Sequence, residues 1–119
     1  MNSPPTIDDY RFGRIEIDRR PYTQDVIILP SGVLPHWWRQ EGHVLHAADL
    51  EAILEAPTKP RTLIVGLGAY SRMRVATDAR RALEEAGIEL ITLSTERAVE
   101  EYNALRQRGD VAAALHLTC

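Results

Sequence analysis

Gly66, Gly68 and Thr95 are the residues of this chain whose types and positions best suit chemistry. Thr62-Leu63-Ile64-Val65 is a continuous apolar run that ends in Gly66-Leu67-Gly68, and glycines at the end of a buried strand let a ligand approach bare backbone. Ser94-Thr95 opens a helical pattern, and the first N–H groups of a helix lack intrahelical acceptors, which suits an anion. Arg72 and Arg74 follow the glycines closely, and the guanidinium fork matches carboxylate and phosphate. Loops beyond the carboxyl ends of parallel strands converge on one crevice, so these residues define a candidate small-anion site. Asn103, on the flank of the last helical stripe, is placed to reach a ligand or neighbouring backbone. The structural account of the same residues is a tight turn at Gly66 and Gly68, a helix cap at Thr95, and an Asn103 amide tied to backbone. A lone Gly-x-Gly without a third glycine, and without a helix directly after it, is not a dinucleotide fingerprint.

The four histidines, His36, His43, His46 and His116, include no pair at helical i, i+4 spacing. In an extended segment His43 and His46 point to opposite faces, so neither a metal site nor a cofactor is expected. His43 with Asp25 has the makings of a general base and its orienting carboxylate. No nucleophile elbow or activated-serine pattern surrounds Ser71, which leaves structural hydrogen bonding as the expectation and no catalytic residue. Cys119 is the only cysteine, which excludes an internal disulfide and a cysteine-based zinc cluster. Trp37 and Trp38, beside Val33 and Leu34, form the densest apolar patch outside regular elements. Consecutive side chains of an extended segment face opposite ways, so one tryptophan packs inward and the other offers an anchor to a protein partner, the alternative being that both pack in the core.

The elements that must position these groups follow from periodicity. Phe12, Ile15 and Ile17 lead into the Asp18-Arg19-Arg20-Pro21 turn and a β-rich run, Asp25–Leu29, which reads as a hairpin. Leu50, Ile53 and Leu54 recur at helical spacing behind Asp49, and Pro57 and Pro60 stop the pattern. The Thr62–Val65 run is a strand buried on both faces. Ala79, Ala82, Leu83 and Ala86 line one face of a helix capped by Thr77 and ended by Gly87. Ile88–Leu93 is a strand, Ala98, Val99, Tyr102 and Leu105 stripe a second helix ending at Gly109, and Val111–Leu117 is the last strand. Two βαβ crossovers make a locally parallel sheet. Adding the antiparallel hairpin gives an α/β fold, a single three-layer domain over residues 1–119 with a mixed sheet flanked by helices.

Composition narrows the class without naming a reaction. Hydrophobic residues are 45% and charged residues 26%, the balance of a globular domain with one core. A formal net charge of -3 argues against nucleic acid, whose binding domains are usually basic. No apolar stretch approaches the ~20 residues of a membrane helix, and the first residues lack a basic start followed by an apolar run, so a cytoplasmic protein without membrane insertion is expected.

Three stretches together resemble the Mth-type domain family, which includes the adipogenesis-associated Mth-domain protein and a mitochondrial complex I assembly factor. The first is Thr95-Glu96-Arg97-Ala98-Val99-Glu100-Glu101-Tyr102-Asn103-Ala104-Leu105 with the ending His116-Leu117-Thr118-Cys119; the second is the strand ending in Gly66-Leu67-Gly68. The third is Tyr22-x-x-Asp25 followed by Trp38-Arg39 and Gly42-His43. The early turn departs from the family pattern, with Arg19-Arg20-Pro21 where relatives usually carry a glycine. The resemblance implies a three-layer mixed-sheet fold and kinship with assembly or interaction factors, and it supplies no catalytic residue. The resulting expectation is a non-enzymatic protein-binding or assembly module, the alternative being a protein or enzyme that binds a small anion in the Gly66–Gly68 and Thr95 crevice.

Overall fold

A computed structural model describes residues 3–119. It begins with an antiparallel meander of β1 (Ile7–Arg11), β2 (Arg14–Ile17) and β3 (Arg20–Tyr22). Asp18 and Arg19 both adopt positive φ, 49° and 67°, the backbone twist that a two-residue hairpin turn requires. The strain is offset by side chains: Asp18 Oδ1 accepts the Thr6 amide at 2.9 Å, and Asp8 Oδ2 accepts the Arg19 amide at 2.7 Å. Sequence periodicity pairs the Ile15–Ile17 run with Val26–Leu29 across this turn, but in the structure its partner is β3. Pro21 disguises β3 as loop; it is tolerated because β3 is an edge strand, where a missing N–H costs no ladder bond.

The strand that does reach the main sheet is β4 (Val26–Leu29), which turns at Pro30-Ser31 into β5 (Gly32–Leu34). This second hairpin joins the parallel core. β6 (Val44–Leu45) precedes a 3-10 turn at Ala47–Leu50 and a single turn of helix, α1 (Glu51–Leu54). The parallel unit follows: β7 (Thr62–Gly66), β8 (Arg74–Val75), α2 (Thr77–Glu85), β9 (Glu89–Leu93), α3 (Thr95–Leu105) and β10 (Val111–Leu115). The five-stranded sheet has the order β5-β4-β10-β7-β9, with β10, β7 and β9 parallel and β4 antiparallel to β10. β6 and β8 form a small parallel ladder beside it.

From β7 the chain moves outward to β9, then back past β7 to β10. Right-handed crossovers in opposite directions place their helices on opposite faces. α3 packs with the meander on one face, where Ile15, Ile17, Ile28, Ile64, Tyr102 and Ala113 form one core. α1 and α2 cover the other, where Ile27, Ile53, Leu63, Val65, Leu83 and Ala114 form a second. Alternate residues of β7 and β10 therefore feed different cores, which is why both strands read as unbroken apolar runs. Three layers result. Each fully buried Leu or Ile contributes roughly 1.5–3 kcal/mol, so the two cores, rather than surface ion pairs, hold the ends of the sheet in place.

Candidate functional site

The loops after β7 and β9 meet over the carboxyl ends of the parallel strands, and the chain's own polar groups fill the space between them. Thr95 is fully buried; its hydroxyl accepts the Gly68 amide at 2.8 Å and donates to the His116 carbonyl at 2.6 Å. The Thr95 amide, one of the helix-start donors, goes to the Gly68 carbonyl at 3.1 Å. Residues beyond β10 run through the gap: the Ala69 amide donates to Thr118 O at 2.7 Å and the Arg72 amide to Cys119 O at 3.2 Å. A methyl on Gly68, whose φ is +105°, would sit 2.6 Å from Cys119 O, and one on Gly66 would sit 2.8 Å from Thr95 Oγ1. These glycines let backbone approach backbone. Arg72 and Arg74 lie exposed on the surface.

Asn103 behaves as a substitute peptide unit. Its Oδ1 accepts the Ile7 amide at 3.1 Å and its Nδ2 donates to the Ile7 carbonyl at 2.8 Å, so both ends of the amide satisfy the start of β1. Tyr102 and Arg106 extend the fastening: the Tyr102 hydroxyl donates to Pro5 O at 2.7 Å, and Arg106 donates to Pro4 O and Pro5 O. Burial pushes the Tyr102 hydroxyl pKa up, which keeps it a donor.

The same end of the sheet holds a polar cluster that sequence reasoning did not assemble. Asp25, just ahead of β4, accepts from the Leu117 amide at 2.8 Å and lies 2.8 Å from both His116 Nδ1 and Arg39 Nη2. The sequence had offered His43 as its partner; His43 instead packs edge-on against the His116 ring, centroids 5.7 Å apart. Arg39, its side chain only 4% exposed, also donates to Gly42 O at 2.9 Å and lies over the Trp37 ring at 4.5 Å. Burial would raise the Asp25 carboxyl, but hydrogen bonds from His116, the Leu117 amide and Arg39 hold it below its usual value. His116 Nδ1 faces the Asp25 carboxylate, and Nε2 lies 3.5 Å from Thr118 Oγ1. An imidazole so oriented has the form of a general base. Here the ring is buried, and the cluster locks the residues after β10 to the start of β4. Its members lie far apart in sequence, and the only signal that gathers them is the family-like pattern Asp25, Trp38-Arg39, Gly42-His43 and His116.

The two tryptophans divide as alternating faces require. Trp37 turns inward, its Nε1 donating to Asp49 O at 2.9 Å and its amide to Asp25 O at 2.8 Å. Trp38 is 76% exposed and borders a shallow cleft of about 450 Å³ shared with Gln24, Asp25, His36 and Trp37. Two further aromatics, Phe12 at 57% and Tyr70 at 70% exposure, lie with ring centroids 6.3 Å apart. Both belong to this end of the sheet, because the Gly13 amide donates to Leu117 O and the Ala69 amide to Thr118 O.

Among the described residues no helix is long and apolar enough to cross a membrane. The chain is similar in structure to a Bartonella henselae protein described as an outer membrane protein, with TM-score 0.85, 27% identity and 98% of each chain covered. It is similar to a conserved hypothetical protein from Pyrococcus horikoshii OT3, with TM-score 0.80, 25% identity, and 96% of this chain and 99% of that chain covered. A Bordetella pertussis protein described as a Mth938-like domain shares the fold at TM-score 0.75 and 22% identity, over 95% of this chain and 85% of that chain. The family described as "Protein of unknown function (DUF498/DUF598)" matches residues 7–116, a span that runs from the first strand of the meander to the histidine of the Asp25 cluster. The chain therefore belongs to this family, that of the Mth-type domains.

Proposed function

We propose that the chain is a non-enzymatic protein-binding module, of the kind that serves assembly, and that it meets its partner through the aromatic end of the sheet centred on Trp38. The observation that carries this reading is the contrast between neighbours: Trp38 is 76% exposed while Trp37 and Arg39 on either side are anchored. A large side chain held out from a fixed backbone binds with little further loss of freedom, and ordering a mobile one costs about 0.5–1.5 kcal/mol. Tryptophan is also the side chain most enriched among residues that dominate interfaces. Phe12 and Tyr70 add apolar area at the same end. The small-anion alternative has less in its favour, because Gly66, Gly68, Thr95 and Asn103 direct their polar groups to partners within the chain, which leaves it the exposed Arg72 and Arg74.

The test is affinity capture from a native extract with the tagged chain, alongside Trp38→Ala and Arg72→Ala. The wild type is expected to retain a stoichiometric protein, Arg72→Ala to retain it equally, and Trp38→Ala to bind it weaker by about 2 kcal/mol, roughly thirtyfold in Kd. Equal melting temperatures for the three proteins keep folding out of the comparison. Recovery of no stoichiometric protein by the wild type, or full retention by Trp38→Ala, overturns the proposal.

A further inference from the structure

Two surfaces lie outside the aromatic end: a cleft of about 670 Å³ where β7 and β10 begin, walled by Leu29, Ala52, Ala56 and Pro57, and the outer edge of β9. Only the edge carries the mark of a particular occupant. β9 is last in the sheet order and packs against β7, α2 and α3. The Glu89 amide donates to Arg61 O and Leu93 O accepts the Leu67 amide, each at 2.8 Å. Glu89, Ile91 and Leu93 therefore bond to β7, and the N–H and C=O groups of Leu90 and Thr92 point outward.

Edge strands are ordinarily blunted by charge, proline, a bulge or shortness, and the other edges of this fold are. β1 carries Asp8, Asp9 and Arg11 and an irregular register between Ile7 and Asp9. β3 has Pro21 at its centre, and β5 is three residues that begin with a glycine. β9 has none of these devices: its five residues keep an unbroken register with β7, its one charge is at the first position, and Leu90 to Leu93 are half-buried.

The helices beside this edge complement themselves. Asp78 on one flank of α2 accepts the Ala47 amide, so the opposite flank, with the exposed Arg80 and Glu84, turns to the open side of β9. On the other face Asn103 and Arg106 hold α3 to the chain around β1, which turns Arg97 and Glu101 to the same side. In both helices the arginine precedes the glutamate by four residues. An antiparallel copy of either helix, related by a two-fold axis, therefore sets arginine against glutamate twice. The three centres also share one height. Ala82, midway between Arg80 and Glu84, is about 5 Å from the end of α2; Val99, midway between Arg97 and Glu101, is about 6 Å from the start of α3; and Ile91 is about 7 Å from either end of β9.

We propose that β9 is the contact edge of a two-fold dimer, in which two copies join antiparallel into one continuous sheet about Ile91. Leu90 of each copy exchanges both backbone bonds with Thr92 of the other, Ile91 packs on Ile91, and Glu89 stands opposite Leu93 rather than another charge. Arg80 meets Glu84 on one face, and Arg97 meets Glu101 on the other.

Sedimentation of the full chain from about 1 μM to about 1 mM, with amide hydrogen exchange at both ends of that range, tests this. The chain is expected to pass from monomer to dimer, and the Leu90 and Thr92 amides to slow at least about tenfold as it does. Thr92→Pro removes an outward N–H without touching the ladder to β7, and should weaken the dimer at least about tenfold. Arg80→Glu sets like charges across the axis and should weaken it about fivefold, while adding Glu84→Arg should return it to the wild-type level. If Thr92→Pro fails to fold, the two surface variants on α2 carry the test. A chain that stays monomeric throughout, which would leave the edge to a strand of some other protein, overturns the assignment. So does a dimer indifferent to these substitutions, or one in which the Leu90 and Thr92 amides exchange as fast as in the monomer.

Discussion

The two ends of the five-stranded sheet are made by the same strands and end as opposites. At the carboxyl ends of β7 and β9, Gly66, Gly68 and Thr95 close against the residues that follow β10, and Asp25, Arg39 and His116 lock those residues to β4. At the amino ends the loops stand apart around an apolar cleft. In open parallel sheets the carboxyl end is where ligands usually gather, because loops and helix starts converge there. Here that convergence is used internally, since the chain after Leu115 brings its own carbonyls to the donors a ligand would have met. The amino end has no such filler. Pro57 and Pro60 lack the N–H that would draw their loop into a ladder, and the β4–β5 turn and Gly109 line the cleft between them. A crevice survives where the chain does not supply its complement.

The contrast is broken most directly at Asp25. Asp25→Ala leaves the Arg39 guanidinium buried without its carboxylate and frees the Leu117 amide, and removing one partner of a buried ion pair costs about 3–5 kcal/mol. Urea denaturation measures the loss; a change below about 1 kcal/mol would mean that the closed end is as wet as an ordinary surface. The same carboxylate sets an acid limit. Its folded pKa lies below the usual 3.8, so its contribution is fully present above that value and disappears as pH falls through the folded one. Asp25→Asn should flatten that part of the acid unfolding profile.

A smaller but sharper contrast comes from adding atoms at each end. Gly68→Ala forces a side chain into a left-handed backbone and against Cys119 O at 2.6 Å, where neither backbone can yield cheaply; a loss of roughly 2–4 kcal/mol is expected. Ala52→Phe adds far more volume at the open end and should change stability by no more than about 0.5 kcal/mol. Thermal or urea unfolding of the two variants side by side decides it. An open carboxyl-end crevice would reverse the order.

The sequence makes the second half of the fold legible because each of its elements is long enough to carry a period. Ile64 between Leu63 and Val65, and Ala113 between Ala112 and Ala114, mark strands buried on both faces, and Ala79–Leu83 and Ala98–Tyr102 mark helices. The first half resists reading for the opposite reason. β3 is three residues with Pro21 at its centre, and the alternation of Ile15 and Ile17 fixes a face without naming a partner, so the hairpin assigned across Asp18–Pro21 went to the wrong strand. The two loops of the expected crevice were legible, but the residues that fill it were not, since nothing local in Thr118-Cys119 says where their carbonyls go. Least legible is the cleft at the amino end, which draws ordinary residues, Pro30, Ala56 and Asp110 among them, from segments with no shared motif.

The mildest test lies on the rim of the closed end, where His46 links the residues before β6 to the start of α2. Its Nε2 is 2.6 Å from Glu41 Oε2 and its Nδ1 is 3.3 Å from Asp78 Oδ1, while Asp78 Oδ2 accepts the Ala47 amide at 3.1 Å. Hydrogen bonds to Glu41 first and Asp78 second raise the His46 pKa above 6.5. A folded pKa above the unfolded one means that the stabilisation is complete below 6.5 and is lost as pH rises through the folded value, opposite in sign to the Asp25 effect. Both carboxylates are exposed, and exposed ion pairs are weak and screened by salt, so the alkaline decline in Tm should be small beside the acid loss at Asp25 and should shrink in high salt. An NMR titration of the His46 ring measures it, and Glu41→Gln should bring the midpoint down towards 6.5. A wild-type midpoint at or below that value would show the clasp open in solution, and the closure of this end would then rest on its buried polar groups alone.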